Sequence, residues 1–431
     1  MQVSVENVGK LERKLVVRVP ADAYESTVRS RIVDAGRNVR LKGFRPGKVP
    51  TKVIEQRFGA QIRGEAMSEL VRTSFQQAVS EQKLRPAASP AISTSGEPVD
   101  GQIEYTATFE VLPELGKLDV SGLAVTKWTA SVEDSDIDAM IETLRHQRRA
   151  WTPVERGAED GDMVFFEFAA QGDGFTHPAE GRDRVGTILG SDAMTRPLEN
   201  ALRGRVSGSE FDVDMTFPDD FRVASLAGKQ ANVSVKVVRV QESRLPEVDS
   251  AFISSFGIAD GSVEKFRADV RANLERELAG VLAARLKNDV VEKLIDAHPD
   301  IELPQGMVEA EAQALQQQAQ AQAQQQGQAA ATDAAAYMDM ARRRVCAGVL
   351  IGELARQNDI RPDSRRVAEM LASIASTYEE PQQVVELYQR DPQLLGGLQN
   401  RVMEDQVAEW VADHAQATEQ KLTFSEAMRP L

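Results

Sequence analysis

Apolar and polar residues alternate from Lys14 to Val19, with Leu15, Val17 and Val19 on one face, which predicts a strand that Pro20 ends. The period then changes. From about Asp22, Tyr24, Val28, Ile32 and Ala35 fall on one helical stripe. A second helical stretch begins at Pro50, with Ile62, Ala66, Leu70 and Phe75 on its buried side and Gly59 expected to bend it, until Pro86 and Pro90 break it. Gln102 to Val111 alternates again, Ile103, Tyr105, Ala107, Phe109 and Val111 facing inward. Strands around a helical hairpin make a small α+β domain, with the bend of the hairpin exposed.

Pro113 to Trp151 reads as a connector: a short strand near Leu123 to Thr129, then a helix with Ile137, Met140, Ile141 and Leu144 at helical spacing. Trp128 and Trp151 suit anchors that pack it onto its neighbours. From Asp162 to Gln241 the pattern is mostly β, with strands at Met163–Ala169, Ser209–Phe217 and Ala231–Val240. Between them, Thr195 to Leu202 is a short helix with proline in its first turn, closed by Gly204.

Leu245-Pro246 returns the chain to helices. Phe266, Val270, Leu274, Leu278, Leu282, Leu286, Val290 and Leu294 recur at steps of four. From Ala310 to Ala336 nearly every residue is Ala or Gln, a composition open to a disordered tract or to a thin helical hairpin. The hairpin is the favoured reading, turning near Gly327 and restarting after Thr332-Asp333 as N-cap. Tyr337, Ala341, Val345, Val349 and Leu350 stripe the return helix, and three more helices follow near Asp363–Tyr378, Pro381–Arg390 and Leu394–His414.

Charge changes this picture at one place. The chain of 431 residues carries a net charge of −15, yet Met1 to Leu112 holds 17 Lys/Arg against 13 Asp/Glu. Its cations gather around Gly43-Phe44-Arg45-Pro46-Gly47-Lys48-Val49-Pro50, at Arg29, Arg31, Arg37, Arg40, Lys42, Lys52, Arg57 and Arg63, against Asp34 and Glu55. Pro-Gly is a turn signal, so Phe44, Arg45 and Lys48 share a tip too short to bury them. Such a tip is either a solvated basic loop or a surface for an anionic partner such as phosphate.

Little else suggests chemistry. The length predicts two to four domains. No apolar run reaches a membrane span, and the polar start Met1-Gln2-Val3-Ser4-Val5-Glu6 does not read as a signal peptide. Lone Cys346 excludes an internal disulfide and suits a reducing cytoplasm. Four scattered histidines offer no metal-ligand spacing, and neither a phosphate-cradling glycine loop nor a nucleophile motif is present.

The octapeptide, its position and its flanks resemble the ribosome-docking signature of the trigger factor family, a Gly-Phe-Arg-x-Gly-Lys-x-Pro loop at the tip of an N-terminal domain. The match has no gap, and the resemblance runs the length of the chain. It implies that Phe44, Arg45 and Lys48, framed by Gly43, Pro46 and Gly47, contact the ribosome near the nascent-chain exit. The implied fold is α+β and multidomain: a ribosome-docking head (1–112), a connector (113–151) belonging to a discontinuous helical body, an antiparallel sheet with a short helix like the FKBP-type prolyl isomerases (152–244), and the rest of the body with projecting arms (245–431). The implied partners are the ribosome, its protein and RNA, and unfolded or nascent polypeptides, with no membrane, no cofactor and no metal. A homodimer off the ribosome is also within the family pattern.

The family's isomerase pocket falls by position on Phe168, Phe175, Leu189, Met194, Leu198 and Phe221. Here the chain departs from the pattern. An acidic residue is replaced by Thr176, and aromatics by Val185, Leu198 and Val233. Less apolar contact means less differential binding of the twisted amide, so turnover is expected to be weak; the remaining phenylalanines also suit the plain core of a small sheet domain. Met307, Tyr337, Met338 and Met340 are the candidates for holding clients, since methionine adapts to irregular apolar partners, although each methionine taken singly reads first as core filler. The reading is a cytoplasmic chaperone working without nucleotide. Its rivals are a prolyl isomerase with a tethering domain and a nucleic-acid-binding protein using the basic head.

Overall fold

The computed structural model describes residues 1–39, 41, 44, 49–94, 101–191, 193–219, 221, 223, 226–326 and 333–430. The chain divides into two units, Met1–Thr129 with Leu282–Lys421 and Ala130–Val281 with Leu422–Leu431.

The first unit begins with β1 (Gln2–Asn7), β2 (Glu12–Pro20), α1 (Ala21–Asn38), α2 (Thr51–Glu81), β3 (Ala91–Thr94) and β4 (Gln102–Glu110). The strands form an antiparallel sheet in the order β1-β2-β4-β3. Leu15, Val17, Val19, Tyr105, Ala107 and Phe109 alternate inward from β2 and β4, and meet Ala78 and Phe75 of α2. The Phe75 and Phe109 rings meet edge to face at 5.2 Å. One polar pair is admitted, Ser74 Oγ to the Tyr105 hydroxyl at 2.8 Å, and burial pushes the Tyr105 pKa up. α2 is helical without interruption through Gly59, where a Cβ would meet nothing closer than Glu55 Cγ at 3.3 Å.

The chain then runs through β5 (Ala124–Thr129) into the second unit. There follow α3 (Asp134–Gln147), β6 (Ala150–Val154), β7 (Met163–Gly172), β8 (Phe175–His177), β9 (Asp183–Ile188), α4 (Arg196–Leu202), β10 (Glu210–Thr216), β11 (Gln230–Arg244) and α5 (Ser250–Ser254). α3 starts with a capping box between Glu133 and Asp136. The strands make a six-stranded antiparallel sheet, β10-β11-β7-β8, with β9 also on β7 and β6 also on β11. A register shift between Val237 and Arg239 leaves Val238 over as a bulge, so Val237 and Val240 both face the core.

The boundary between the units falls within α6 (Val263–Ala297), after which α7 (Gln305–Gln326), a 3-10 turn (Ala334–Tyr337), α8 (Met338–Gln357), α9 (Ser364–Ala375), α10 (Pro381–Arg390), α11 (Pro392–His414), β12 (Gln416–Lys421) and α12 (Phe424–Ala427) complete the chain. β12 pairs in parallel with β5. Leu118, Val120 and Val125 pack with Val290 and Leu294 of α6, Leu350 and Leu354 of α8 and Val407 and Val411 of α11, and enclose Cys346. Asp333 caps the 3-10 turn by accepting from the Ala335 N–H, as its place after the Ala/Gln tract predicts. Gly327 and Thr332 lie outside the described residues. Among the described residues no helix is long and apolar enough to cross a membrane.

Candidate functional site

Three sets of residues carry the functional reading. The first is the end of the α1–α2 hairpin. The two helices share a core of Tyr24, Val28, Ile32, Ile54, Ile62 and Ala66, which buried Val49 and half-buried Leu41 extend toward the tip. A backbone hydrogen bond from Phe44 N–H to Leu41 C=O (3.1 Å) holds Phe44 beyond that core, 39% exposed. Gly43, Arg45, Pro46, Gly47 and Lys48 lie outside the described residues, as do Arg40 and Lys42.

The flanking cations are less free than their count in the sequence implies. Arg31 pairs with Glu65 and Glu69, Arg37 with Asp34, and Arg63 with Glu25 and Glu55. The hydrogen bond to Glu55 raises the Arg63 pKa further. Arg29, Lys52 and Arg57 are exposed and enter no ion pair among the described residues. Glu25, Glu65 and Glu69 lie a helix length away in sequence, and only the hairpin brings them alongside.

The second set lies on the buried face of the six-stranded sheet. Val164, Phe166, Phe168 and Ala170 alternate inward along β7, beside Val233, Val235 and Val237 of β11. α4 covers them with Leu198 and Leu202, and buried Glu199 accepts from Gly190 N–H at 2.7 Å, fixing the turn between β9 and α4. Gly190 takes a φ of 80°, which an L side chain rarely adopts. Leu189 and Leu198 are core, with almost no exposed surface, and Phe168 is nearly so. Phe175, Met194 and Phe221 are partly buried against the same core, and the Phe221 ring lies 4.7 Å from that of Phe217. All six pocket candidates therefore share one cluster, three inside it and three at its surface. Phe175 leans across Gly172, where a Cβ would stand 2.3 Å from its ring and 2.7 Å from the Gln230 carbonyl oxygen, so position 172 has no room for a side chain.

Thr176 faces outward opposite Gln171. The inner face nonetheless acquires a carboxylate. Asp183 is the cross-strand partner of Phe168, and its Oδ2 lies 3.0 Å from Nε2 of His177, whose ring is 6.4 Å from that of Phe168. Sequence reasoning did not single out this pair; strand register is the only signal that joins them.

The third set is on α7, the 3-10 turn and α8. Met307, Tyr337 and Met338 are half-buried against Val308, Ala312, Leu315, Ala341 and Val345, while Met340 is 53% exposed. The first three brace the α7–α8 pair, and Met340 alone of the four offers free apolar surface. Further apolar surface, not singled out from sequence, comes from Tyr378, Leu387 and Leu394 around α10. α10 has no fully buried residue, and Val385 and Tyr388 give it only a partial hold on α9 and α11.

Comparison with known proteins gives a consistent result. Family models described as bacterial trigger factor protein and bacterial trigger factor protein C-terminus match residues 1–144 and 262–413. A trigger factor of Stenotrophomonas maltophilia (strain K279a) is 48% identical over the full length of both chains, and one of Xanthomonas axonopodis pv. citri (strain 306) is 49% identical over the same extent. A solved trigger factor chaperone structure aligns over 96% of this chain and 99% of its own, with TM-score 0.42 and 17% identity.

Proposed function

We propose a working mechanism from the premise that this chain belongs to the trigger factor family and is a ribosome-associated chaperone: the α1–α2 tip docks on the ribosome, and apolar surface elsewhere holds the emerging polypeptide in the cytoplasm. The full-length similarity carries this reading, and exposed Phe44 at the hairpin end supports it. Phe44, Arg45 and Lys48 are the docking residues. An aromatic side chain adds apolar contact, and the two cations displace counterions from an anionic surface. We assign the docking role to 1–112, the holding role to 113–151 with 245–431, and an isomerase role to 152–244. No step needs a nucleotide, because shallow apolar contacts form and release reversibly.

Sedimentation with vacant ribosomes tests the docking role. The purified chain is expected to pellet with ribosomes at low salt and to be released as salt rises, with log affinity falling by roughly 0.7–0.9 per decade for each phosphate neutralised. A chain that stays in the supernatant at every salt concentration overturns this role.

The isomerase role rests on geometry. Rotating an X-Pro bond requires only that the site bind the twisted amide better than the planar one. Phe175, Met194 and Phe221 reach the surface of the sheet core and can meet a proline ring, while Leu189 and Leu198 support them from inside. Phe175→Ala in the full chain is expected to slow X-Pro exchange in a short peptide by about tenfold, the rate equivalent of about 1.4 kcal/mol. An unchanged rate places the catalytic surface elsewhere.

A further inference from the structure

Phe175 does not stand bare at the surface of the sheet core. Its ring lies against Gly172 at the end of β7, close to Gln230 at the start of β11. The residue before Gln230, Lys229, carries its ammonium over that ring, 4.7 Å from the centroid. Elsewhere in 152–244 Arg205 covers Phe211 and Arg239 covers Phe165 in the same manner. Among the described residues, Lys229 alone covers a ring assigned to the isomerase surface.

The backbone at Lys229 is fixed. Its N–H donates to Leu226 C=O at 3.1 Å, and its C=O accepts from Phe217 N–H at 3.0 Å. The side chain is exposed and enters no ion pair among the described residues. Asp183, the carboxylate on the inner face, stands opposite Phe168, four residues along β7 from Gly172 and so about 13 Å away, and it is engaged with His177. An exposed cation–π contact favours the covered ring by a factor of only about two to five. A proline that packs on Phe175 has to displace this ammonium. A carboxylate beside the proline does so at little net cost, because an exposed ion pair is worth about as much as the contact it replaces. A neutral neighbour offers nothing in exchange, and a cationic one adds repulsion.

We propose that Lys229 sets the substrate class of the isomerase surface: client segments with a carboxylate on a residue next to the proline. The carboxylate draws the ammonium off Phe175, and the uncovered ring takes the proline. This preference rests on the isomerase role proposed for 152–244. The field of the whole protein opposes it, since a net charge of −15 favours basic peptides. A preference for acidic neighbours therefore comes from a local cation.

The test uses the full chain and capped peptides in which glutamate, glutamine or lysine stands immediately before or immediately after a single proline. X-Pro exchange is followed by NMR, and affinity by the anisotropy of fluorescein-labelled copies. At low salt, in at least one of the two positions, kcat/KM for the glutamate peptide is expected to exceed that for the lysine peptide about fivefold, and the gap to narrow as salt rises. Lys229→Ala should bring that ratio to one or below and speed exchange of the glutamine peptide about twofold, because nothing has to be displaced. Lys229→Glu should invert the preference. Arg239→Ala removes the same charge and a like contact, 4.8 Å from the Phe165 ring, and should leave the ratio unchanged. Both positions are exposed, so the thermal transition serves as a folding control. A wild-type ratio at or below one in both positions overturns the proposal. So does a ratio or a glutamine rate that Lys229→Ala leaves unchanged, or an equal fall in Arg239→Ala. Exchange catalysed equally for all three neighbours removes the preference and leaves the isomerase role standing. If no peptide exchanges faster than in buffer, the isomerase role fails and affinity decides the rest. A glutamate-over-lysine difference that Lys229→Ala removes then keeps the carboxylate site, and its absence overturns that site too.

Discussion

Replacing Phe44, Arg45 and Lys48 together with alanine is expected to abolish co-sedimentation with ribosomes while leaving thermal unfolding nearly unchanged. The hairpin does not depend on Phe44. Its core is Tyr24, Val28, Ile32, Val49, Ile54 and Ile62, all buried, and Phe44 stands outside that core. Substitutions at exposed loop positions usually move stability by no more than about 0.5 kcal/mol. Binding behaves differently, because few side chains can reach a partner from a narrow tip and interface energy concentrates in a few aromatic and arginine anchors. Losing one aromatic anchor and both cations together removes the apolar contact and the counterion release at once. Single substitutions sort the contributions. Phe44→Ala should weaken binding about equally at low and high salt, whereas Arg45→Ala and Lys48→Ala should flatten the salt dependence. Undiminished pelleting by the triple variant would move docking to another surface, with Arg29, Lys52 and Arg57 the next candidates.

What the sequence disclosed follows the burial of each element. β2, β4, β7, β10 and β11 each bury a run of alternating positions, and their periods are visible in the chain. α6 and α8 bury continuous stripes and are equally legible. β3, β8 and β12 show no such period. β12 (Gln-Ala-Thr-Glu-Gln-Lys) is exposed at all six positions and exists through main-chain pairing with β5. β3 is exposed throughout, and β8 has three residues. Burial of side chains leaves a pattern in sequence, whereas main-chain pairing leaves none. The candidate sites divide in the same way. Phe44 and the inward Phe168 of β7 could be picked out residue by residue. The neutralisation of Arg31 and Arg63, the meeting of His177 with Asp183, and the placing of Lys229 over Phe175 depend on which segments fold together. Several positions read as client-binding, Met307, Tyr337 and Met338 among them, also fill core, a distinction that composition cannot make.

Glu353 provides the second large effect, and it concerns how the head is held within its own unit. This residue of α8 is 2% exposed, and its carboxylate accepts from Arg356 of the same helix, from Gln357 Nε2 at 2.9 Å, and from Arg85 Nη1 at 2.7 Å. Arg85 lies between α2 and β3, so the last bond ties the head to α8. A second carboxylate works nearby, Glu110 of β4 accepting from the first two N–H groups of α7 at 2.9 and 2.7 Å. For Glu353 the Arg356 hydrogen bond outweighs burial, and with Gln357 and Arg85 it holds the pKa down to about 2, against 4.5 for an unperturbed glutamate. A carboxylate depressed in the folded state stabilises the fold above its unfolded pKa, and that stabilisation is lost as pH falls through the folded value. The full shift corresponds to about 3 kcal/mol, and the exposure of the Arg85 and Arg356 side chains reduces this to about 2 kcal/mol through solvent screening. Glu353→Gln, which keeps the shape and one acceptor but removes the charge, is therefore expected to destabilise the fold by about 2 kcal/mol at pH 7. The difference from wild type should narrow as pH falls below 4.5 and close near pH 2. Arg85→Ala should cost less, at most about 1 kcal/mol, because Arg356 and Gln357 still hold the carboxylate and Arg85 is itself half exposed. Denaturant unfolding of the three chains from pH 7 down to pH 2 checks the ordering. A wild-type to Glu353→Gln difference that does not change with pH would mean that the glutamine is poorly packed, and that the charge at 353 contributes nothing to holding the head on α8.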